Sequence, residues 1–203
     1  MPKQTFFNLP EDKRQTLMEA TRAEFSRAPL NEASISNIIK MSGISRGSFY
    51  QYFEDKEDAF YHLLKEQSKR RQDMFISLLK ETEGDLFEAT AKLFQSTLEE
   101  FKDDEKRSFF KHVFLNMNHK IQSTITNGDT EDKFLEHLNK IREYIDQDQL
   151  NIEGEEELYH AVHLLRNLML NNLVSHFAKG LSRERAMKNF TIEMTLIKRG
   201  LST

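Results

Sequence analysis

Between residues 45 and 56 the chain reads Ser-Arg-Gly-Ser-Phe-Tyr-Gln-Tyr-Phe-Glu-Asp-Lys, a run rich in groups that form hydrogen bonds. Arg46 carries a planar fork of N–H donors that can take a guanine edge bidentately. Ser45, Ser48, Tyr50, Gln51 and Tyr52 add hydroxyls and an amide. Gly47 costs a helix about 1 kcal/mol relative to alanine, a choice that makes sense where a base edge must come close to the backbone. Lys56 sits at a helix start, where an ammonium and backbone amides together can hold a phosphate. Upstream, Ser34 and Ser36 are further candidates for phosphate contacts. The chemistry these residues support is recognition of base edges and phosphates.

The elements that must position them follow from the same stretch. Ser34 suits the cap of a helix whose apolar residues Ile35, Ile38 and Ile39 recur at helical spacing. Gly43 supplies the left-handed residue that ends this helix and turns the chain. Ser45 caps a second short helix, with Phe49 and Phe53 four residues apart on one face. Asp55 suits the cap of a third, and acidic residues there complement its positive N-terminus. Helix, glycine turn, helix is the layout of a helix-turn-helix, whose second helix lies in the DNA major groove.

These residues carry a resemblance. Ser34-Ile35, Ile38-Ile39, Ser42-Gly43-Ile44-Ser45, Gly47 through Phe53 and Lys56-Glu57 resemble the DNA-binding domain of the tetracycline-repressor (TetR) family of bacterial regulators. Asn8 to Phe25 looks like that family's first helix, with Pro10 and acidic residues in its first turn. The likeness covers about residues 8–64. Ala28-Pro29-Leu30 replaces a usual glycine turn, and Ile39 and Met41 occupy positions that often hold alanine; both departures concern packing. By resemblance, the Tyr50 hydroxyl points at a phosphate, and Phe49 and Phe53 are core.

Composition sets limits. The chain has 203 residues, no cysteine, three prolines and seven glycines. A disulfide framework and a thiolate metal site are thereby excluded. No run of 18 apolar residues and no signal-peptide pattern occurs. An all-α, cytoplasmic protein with no membrane partner is expected. Residues 1–56 hold eight basic and seven acidic side chains, and the rest hold 21 and 26. With so little basic excess, DNA affinity must come from a few placed contacts presented twice, which disfavours a protein that coats DNA.

Beyond Lys56 a helix is predicted to about Thr82, with an apolar stripe at Phe60, Leu63 and Leu64, a polar lapse from Lys65 to Asp73, and a second stripe at Met74, Phe75, Leu78 and Leu79. The lapse places a boundary inside the helix, between residues 1–56 as the DNA-binding domain and 57–203 as a helical second domain. Further stripes are Leu86 to Phe101, Phe109 to Met117, and Phe134, Leu138, Ile141 and Ile145, with Asn127-Gly128-Asp129 as a turn. Residues 155–179 form a broadly apolar helix, Gly180 ends it, and Ser182 caps the last one, giving about nine helices.

Two such C-terminal helices need more apolar partners than a small bundle offers. Paired with a second copy they would form a four-helix homodimer interface, as in the family resembled, through Leu165, Leu168, Met169, Leu173, Phe177, Phe190, Met194 and Ile197. A dimer also sets two reading helices roughly 34–36 Å apart, matching a palindromic operator in double-stranded DNA. The resemblance further implies an effector pocket in the central helices for an apolar or amphipathic small molecule. Its candidate lining is Phe94, Phe101, Phe110, Phe114, Met117, Arg166, Asn167 and Asn171, with Asn116, His119 and His176 as further polar groups. The same phenylalanines also suit a plain core.

Two other readings compete with a ligand-responsive repressor. A helical adaptor would use its helix-turn-helix only for protein contacts. A metal enzyme would use Glu157, His160 and His163, which fall on successive turns of one helix; carboxylate-bridged di-iron bundles need that Glu-x-x-His pattern twice, and no second copy is present. A phosphate loop and His-Glu-x-x-His are also missing from the sequence. The expected protein is therefore a regulator with no catalytic residues, no metal and no cofactor.

Overall fold

The computed structural model describes residues 1–126, 136 and 138–201. Among these the regular structure is helical: α1 (Gln4–Phe7), α2 (Glu11–Arg27), α3 (Ile35–Ser42), α4 (Arg46–Tyr52), α5 (Lys56–Glu81), α6 (Leu86–Glu100), α7 (Asp104–Leu115), α8 (His119–Thr126), α9 (Gly154–Ala178) and α10 (Arg183–Leu201), with two 3-10 turns at Arg142–Tyr144 and Gln147–Gln149. The Asn127-Gly128-Asp129 turn and Phe134 lie outside the described residues. Among the described residues no helix is long and apolar enough to cross a membrane.

The helix boundaries have local causes. Ser45 accepts a hydrogen bond from the Ser48 amide at 3.0 Å, and Asp55 accepts one from the Asp58 amide at 2.7 Å. Ser182 does the same for Arg185 at 3.1 Å. Each satisfies an amide that the first helical turn leaves without a carbonyl. Gly43, at φ 69°, closes α3 by donating to the Ile39 carbonyl. Gly84, at φ 87°, is needed for a second reason: a Cβ there would lie 2.5 Å from the Asp146 amide nitrogen.

Two elements differ from the sequence reading. The first long helix starts at Glu11 rather than Asn8, with Pro10 at its N-cap, and the additional turn α1 precedes it. Ser34 occupies the N-cap position of α3, yet its hydroxyl makes no capping bond. The Ser34 amide is held instead by a side chain of another helix, as described below.

The described chain divides into two compact units, residues 1–67 with 101–125, and 68–100 with 126–203. The first unit has a core of Leu17, Phe25, Ile38, Phe49, Phe53, Phe60, Leu63, Phe109 and Phe110, all at most 3 % exposed. Helices α7 and α3 pack on α2, and α4 packs on α3 and α1. In the second unit α9 packs on α10 and α10 on α6. There Phe94 and Phe190 stack with centroids 4.0 Å apart, both fully buried. The division within α5 falls at 67/68, inside the polar lapse of its apolar stripe.

Candidate nucleic-acid interface

Helix α4 buries one face and leaves the rest in solvent. Phe49 is fully buried and lies 5.5 Å, centroid to centroid, from Phe53, which is equally buried just past the helix end. Around the opposite side Ser45, Arg46, Gly47, Tyr50 and Gln51 are exposed, and Ser48 and Tyr52 are half-buried. A Cβ on Gly47 would meet only the Ser45 hydroxyl, at an ordinary 3.7 Å. Nothing inside the protein therefore requires glycine there. The residue lowers helix propensity and makes room on the outer surface.

Arg46 and Tyr50 face each other one turn apart. The Arg46 guanidinium donates to the Tyr50 hydroxyl at 3.5 Å and lies 5.8 Å from the ring centroid, within cation–π range. The Tyr50 ring in turn stands edge-on to Phe49, with centroids 5.6 Å apart. The exposed arginine is thus held against an aromatic ring that is itself fixed on the core.

The start of α3 is organised from α2. Glu24 is 1 % exposed. Its carboxylate accepts from the Ser34 amide at 2.6 Å, from the Asn37 side-chain amide at 3.1 Å and from Arg27 at 2.7 and 2.9 Å. Burial by itself opposes ionisation of Glu24. The hydrogen bonds from Arg27, Ser34 and Asn37, with the charge of Arg27, outweigh it and hold the carboxyl below its ordinary pKa. Glu24 thus anchors the N-cap residue of α3 through its backbone amide, while the hydroxyl cap expected of Ser34 is not made. Its signal in sequence was weak, a single acid on the inner face of an otherwise apolar helix stripe.

Lys56 is committed within the protein. Its ammonium donates to the carbonyls of Asn31 at 2.8 Å and Ala33 at 3.1 Å, fastening the start of α5 to the turn just ahead of Ser34. Ser36 is exposed on the first turn of α3, and Ser34 is half-buried. The structure therefore assembles Ser45 through Tyr52 on one short helix, and ties Lys56 to the turn that leads to Ser34 and Ser36.

The candidate effector residues fall into both units. Phe101, Phe110 and Phe114 are buried in the first, with Phe110 centroids 5.6 Å from Phe101 and 6.0 Å from Phe114, and Met117 is half-buried there. Phe94 belongs to the second, stacked on Phe190. Arg166 donates to the Thr126 carbonyl at 2.8 Å, and burial pulls its guanidinium down to about 10. Asn167 lies 3.1 Å from His163 Nδ1, Asn171 is exposed and His176 is buried. Asn116 and His119 are exposed, and the Asn116 amide donates to the His112 carbonyl at 2.8 Å.

Of the residues considered for a dimer interface, Leu165, Leu173, Phe190 and Met194 are buried within the chain itself, while Leu168, Met169, Phe177 and Ile197 are half-buried. Leu164, Ile192 and Leu196, outside that set, are 51 %, 51 % and 61 % exposed on α9 and α10. Among the described residues, no group of three or more His, Asp or Glu is placed to hold a metal ion.

Two family models match this chain. Residues 17–62 match the bacterial regulatory proteins of the tetR family, and residues 85–201 match the tetracyclin repressor-like C-terminal domain. The chain belongs to the TetR family. Over 107 residues it is 30 % identical to the uncharacterized HTH-type transcriptional regulator YdgC of Bacillus subtilis, covering 52 % of this chain and 55 % of that one. An HTH-type transcriptional regulator of Staphylococcus aureus is 28 % identical over 99 residues, 47 % of this chain and 51 % of that one. The chain thus spans about half the length of the curated relatives it matches. Among solved TetR-fold structures, SmeT, the repressor of the Stenotrophomonas maltophilia multidrug efflux pump SmeDEF, superposes with TM-score 0.67 at 16 % identity over 95 % of this chain and 93 % of that one. The regulator FadR of Bacillus subtilis, in complex with stearoyl-CoA, gives 0.64 at 16 % identity over 92 % and 98 %. At such identities the likeness is one of fold.

Proposed function

We propose that this TetR-family regulator reads a palindromic operator as a homodimer, with α4 in the major groove, and represses until a small apolar or amphipathic effector releases it. The observation that carries the reading is the exposed side of α4, where Arg46, Gly47, Tyr50 and Gln51 stand in solvent over a buried Phe49. Arg46 reads a base edge, Gly47 and Ser48 allow the approach, and Ser45, Tyr50, Gln51 and Tyr52 contact bases or phosphates. Ser34, Ser36 and Lys56 secure the flanking backbone. The working division is a reader built on residues 1–56, with α5 as bridge, and an effector-binding and dimerisation part within 57–203.

The dimer contact in this reading runs along α9 and α10, through Leu164, Leu168, Ile192, Leu196 and Ile197. Isolated exposed leucines are common. Three large ones on two adjacent helices are better accounted for by a second copy that covers them. In the second unit Arg166, half-buried on α9, is the candidate to receive the polar end of an amphipathic effector. Acting on chromosomal DNA, the regulator of this reading works in the cytoplasm.

The test starts from a random-sequence DNA pool. Enrichment of a palindrome by the full-length protein, followed by its release on titration with fatty acyl-CoA or with lipophilic cationic drugs, supports both halves of the reading. Enrichment of no duplex refutes the recognition role of α4. Release by neither compound class removes the amphipathic effector.

A further inference from the structure

We propose that residues 3–6 are a positioning element of the DNA reader, a clamp on the C-terminal end of α4 on which base discrimination depends. The inference rests on α4 being the reading helix. That helix has seven residues, under two turns, and helices of this length are marginal on their own. Its N-terminus is fixed by the Ser45 cap, while its last carbonyls have no partner within the helix.

Three of these carbonyls are taken by a segment some 46 to 49 residues earlier in the chain. The Lys3 amide donates to the Tyr52 carbonyl at 2.9 Å, the Lys3 ammonium donates to the Tyr50 carbonyl at 2.9 Å, and the Thr5 hydroxyl donates to the Gln51 carbonyl. The ammonium sits where the helix carries its partial negative charge. Phe6 anchors the clamp: it is 1 % exposed, with its ring 5.1 Å from Phe53 and 5.0 Å from His62. The residues whose carbonyls are held, Tyr50, Gln51 and Tyr52, are those whose side chains complete the candidate DNA face.

The consequence for recognition follows from geometry. A bidentate contact to a base edge needs its donors placed closely, whereas a phosphate contact tolerates displacement. Loosening the end of α4 therefore costs binding to the preferred sequence more than binding to arbitrary DNA. Lys3 acts through the helix, by the bond its ammonium makes to the Tyr50 carbonyl.

The experiment uses full-length protein carrying Lys3→Met with Thr5→Val, which keeps the Lys3 amide, both side-chain volumes and the Phe6 anchor. The probes are the duplex that the wild-type protein enriches from a random pool and a scrambled duplex of equal length. Removing two hydrogen bonds, one of them charged, is expected to weaken the enriched duplex about tenfold and the scrambled one by no more than about twofold. Amide exchange at Gln51, Tyr52 and Phe53 should accelerate by about tenfold, while exchange in α9 stays as it was. Lys3→Arg with Thr5→Ser should restore both readouts. Unchanged exchange at residues 51–53 overturns the clamp. Equal weakening on both duplexes with a shallower salt slope also overturns it, because that is the signature of a phosphate contact by Lys3. Should the wild-type protein enrich no duplex, the recognition role of α4 fails, and exchange at residues 51–53 still decides the clamp.

Discussion

The carboxylate of Glu24 and the backbone amide of Ser34 lie 2.6 Å apart, so a side chain of α2 anchors the N-cap residue of the first reading-motif helix. Because Glu24 is buried and its pKa is lowered on folding, it contributes stability that is present above the ordinary carboxylate pKa. That contribution is lost as pH falls from there through the lower, folded-state value. Glu24→Gln is expected to lower stability by about 1–3 kcal/mol at neutral pH and to flatten the acid limb of the stability profile. Chemical denaturation between pH 3 and pH 7 checks both; parallel profiles for the two proteins would contradict the assignment.

Gly47 separates folding from recognition. A methyl group placed on its Cα would have no neighbour nearer than 3.7 Å, so Gly47→Ala is expected to raise the stability of the free protein by about 0.5–1 kcal/mol. The same methyl group projects from the exposed surface of α4 and, with that surface in the major groove as proposed, should weaken binding to the enriched duplex. Thermal melts alongside binding isotherms test the opposition of sign. A variant that is both more stable and as tight a binder would show that no close approach occurs at this position.

Arg46, Tyr50 and Lys56 should differ in kind. Arg46→Ala is expected to relax base preference at one position of each half-site by about 1–3 kcal/mol. Tyr50→Phe removes the hydroxyl that accepts from Arg46 and that the proposed reading sets against a phosphate, so it should weaken binding on all sequences. Lys56→Ala should also weaken binding on every duplex. Because it breaks the bonds to the Asn31 and Ala33 carbonyls, it should lower the melting temperature as well. Affinity measured across a base-substituted operator series at two salt concentrations distinguishes the three patterns.

The dimer reading predicts that Leu164→Glu together with Leu196→Glu shifts the protein to monomer in sedimentation while leaving each chain folded. Both positions are more than half exposed in the single chain, so neither substitution opens its core. A wild-type protein that sediments as a monomer at micromolar concentration would remove this surface from consideration.

What could be read from the sequence divides along a physical line. Ser45, Asp55 and Ser182 were legible as caps because a cap joins residues three apart, and spacing alone reveals it. The Phe49–Phe53 face and the polar lapse of α5 were legible for the same reason, being periodicities within one helix. Glu24 and Lys3 were not legible, because their partners lie 10 and up to 49 residues away, on elements whose meeting is decided by tertiary packing. Phe94, Phe101, Phe110 and Phe114 were candidates for one pocket lining, yet Phe94 belongs to one unit and Phe101, Phe110 and Phe114 to the other. Amphipathicity shows that a face is buried without showing against what. The same ambiguity put Phe190 at an expected interface when it stacks on Phe94 in the protomer core.

The first unit is discontinuous in the chain, leaving at residue 67 and returning at 101–125 with α7 against α2 and Phe109 near Phe60. A ribosome therefore releases the reading motif well before it releases the helix that covers the motif's support. In that interval the α7-facing side of α2 is wet. Nor can the reader be transplanted by cutting the gene after codon 67: a fusion built that way would present the motif on a helix stripped of its cover. A portable reader from this protein must carry the later segment too, spliced in or supplied as a second piece.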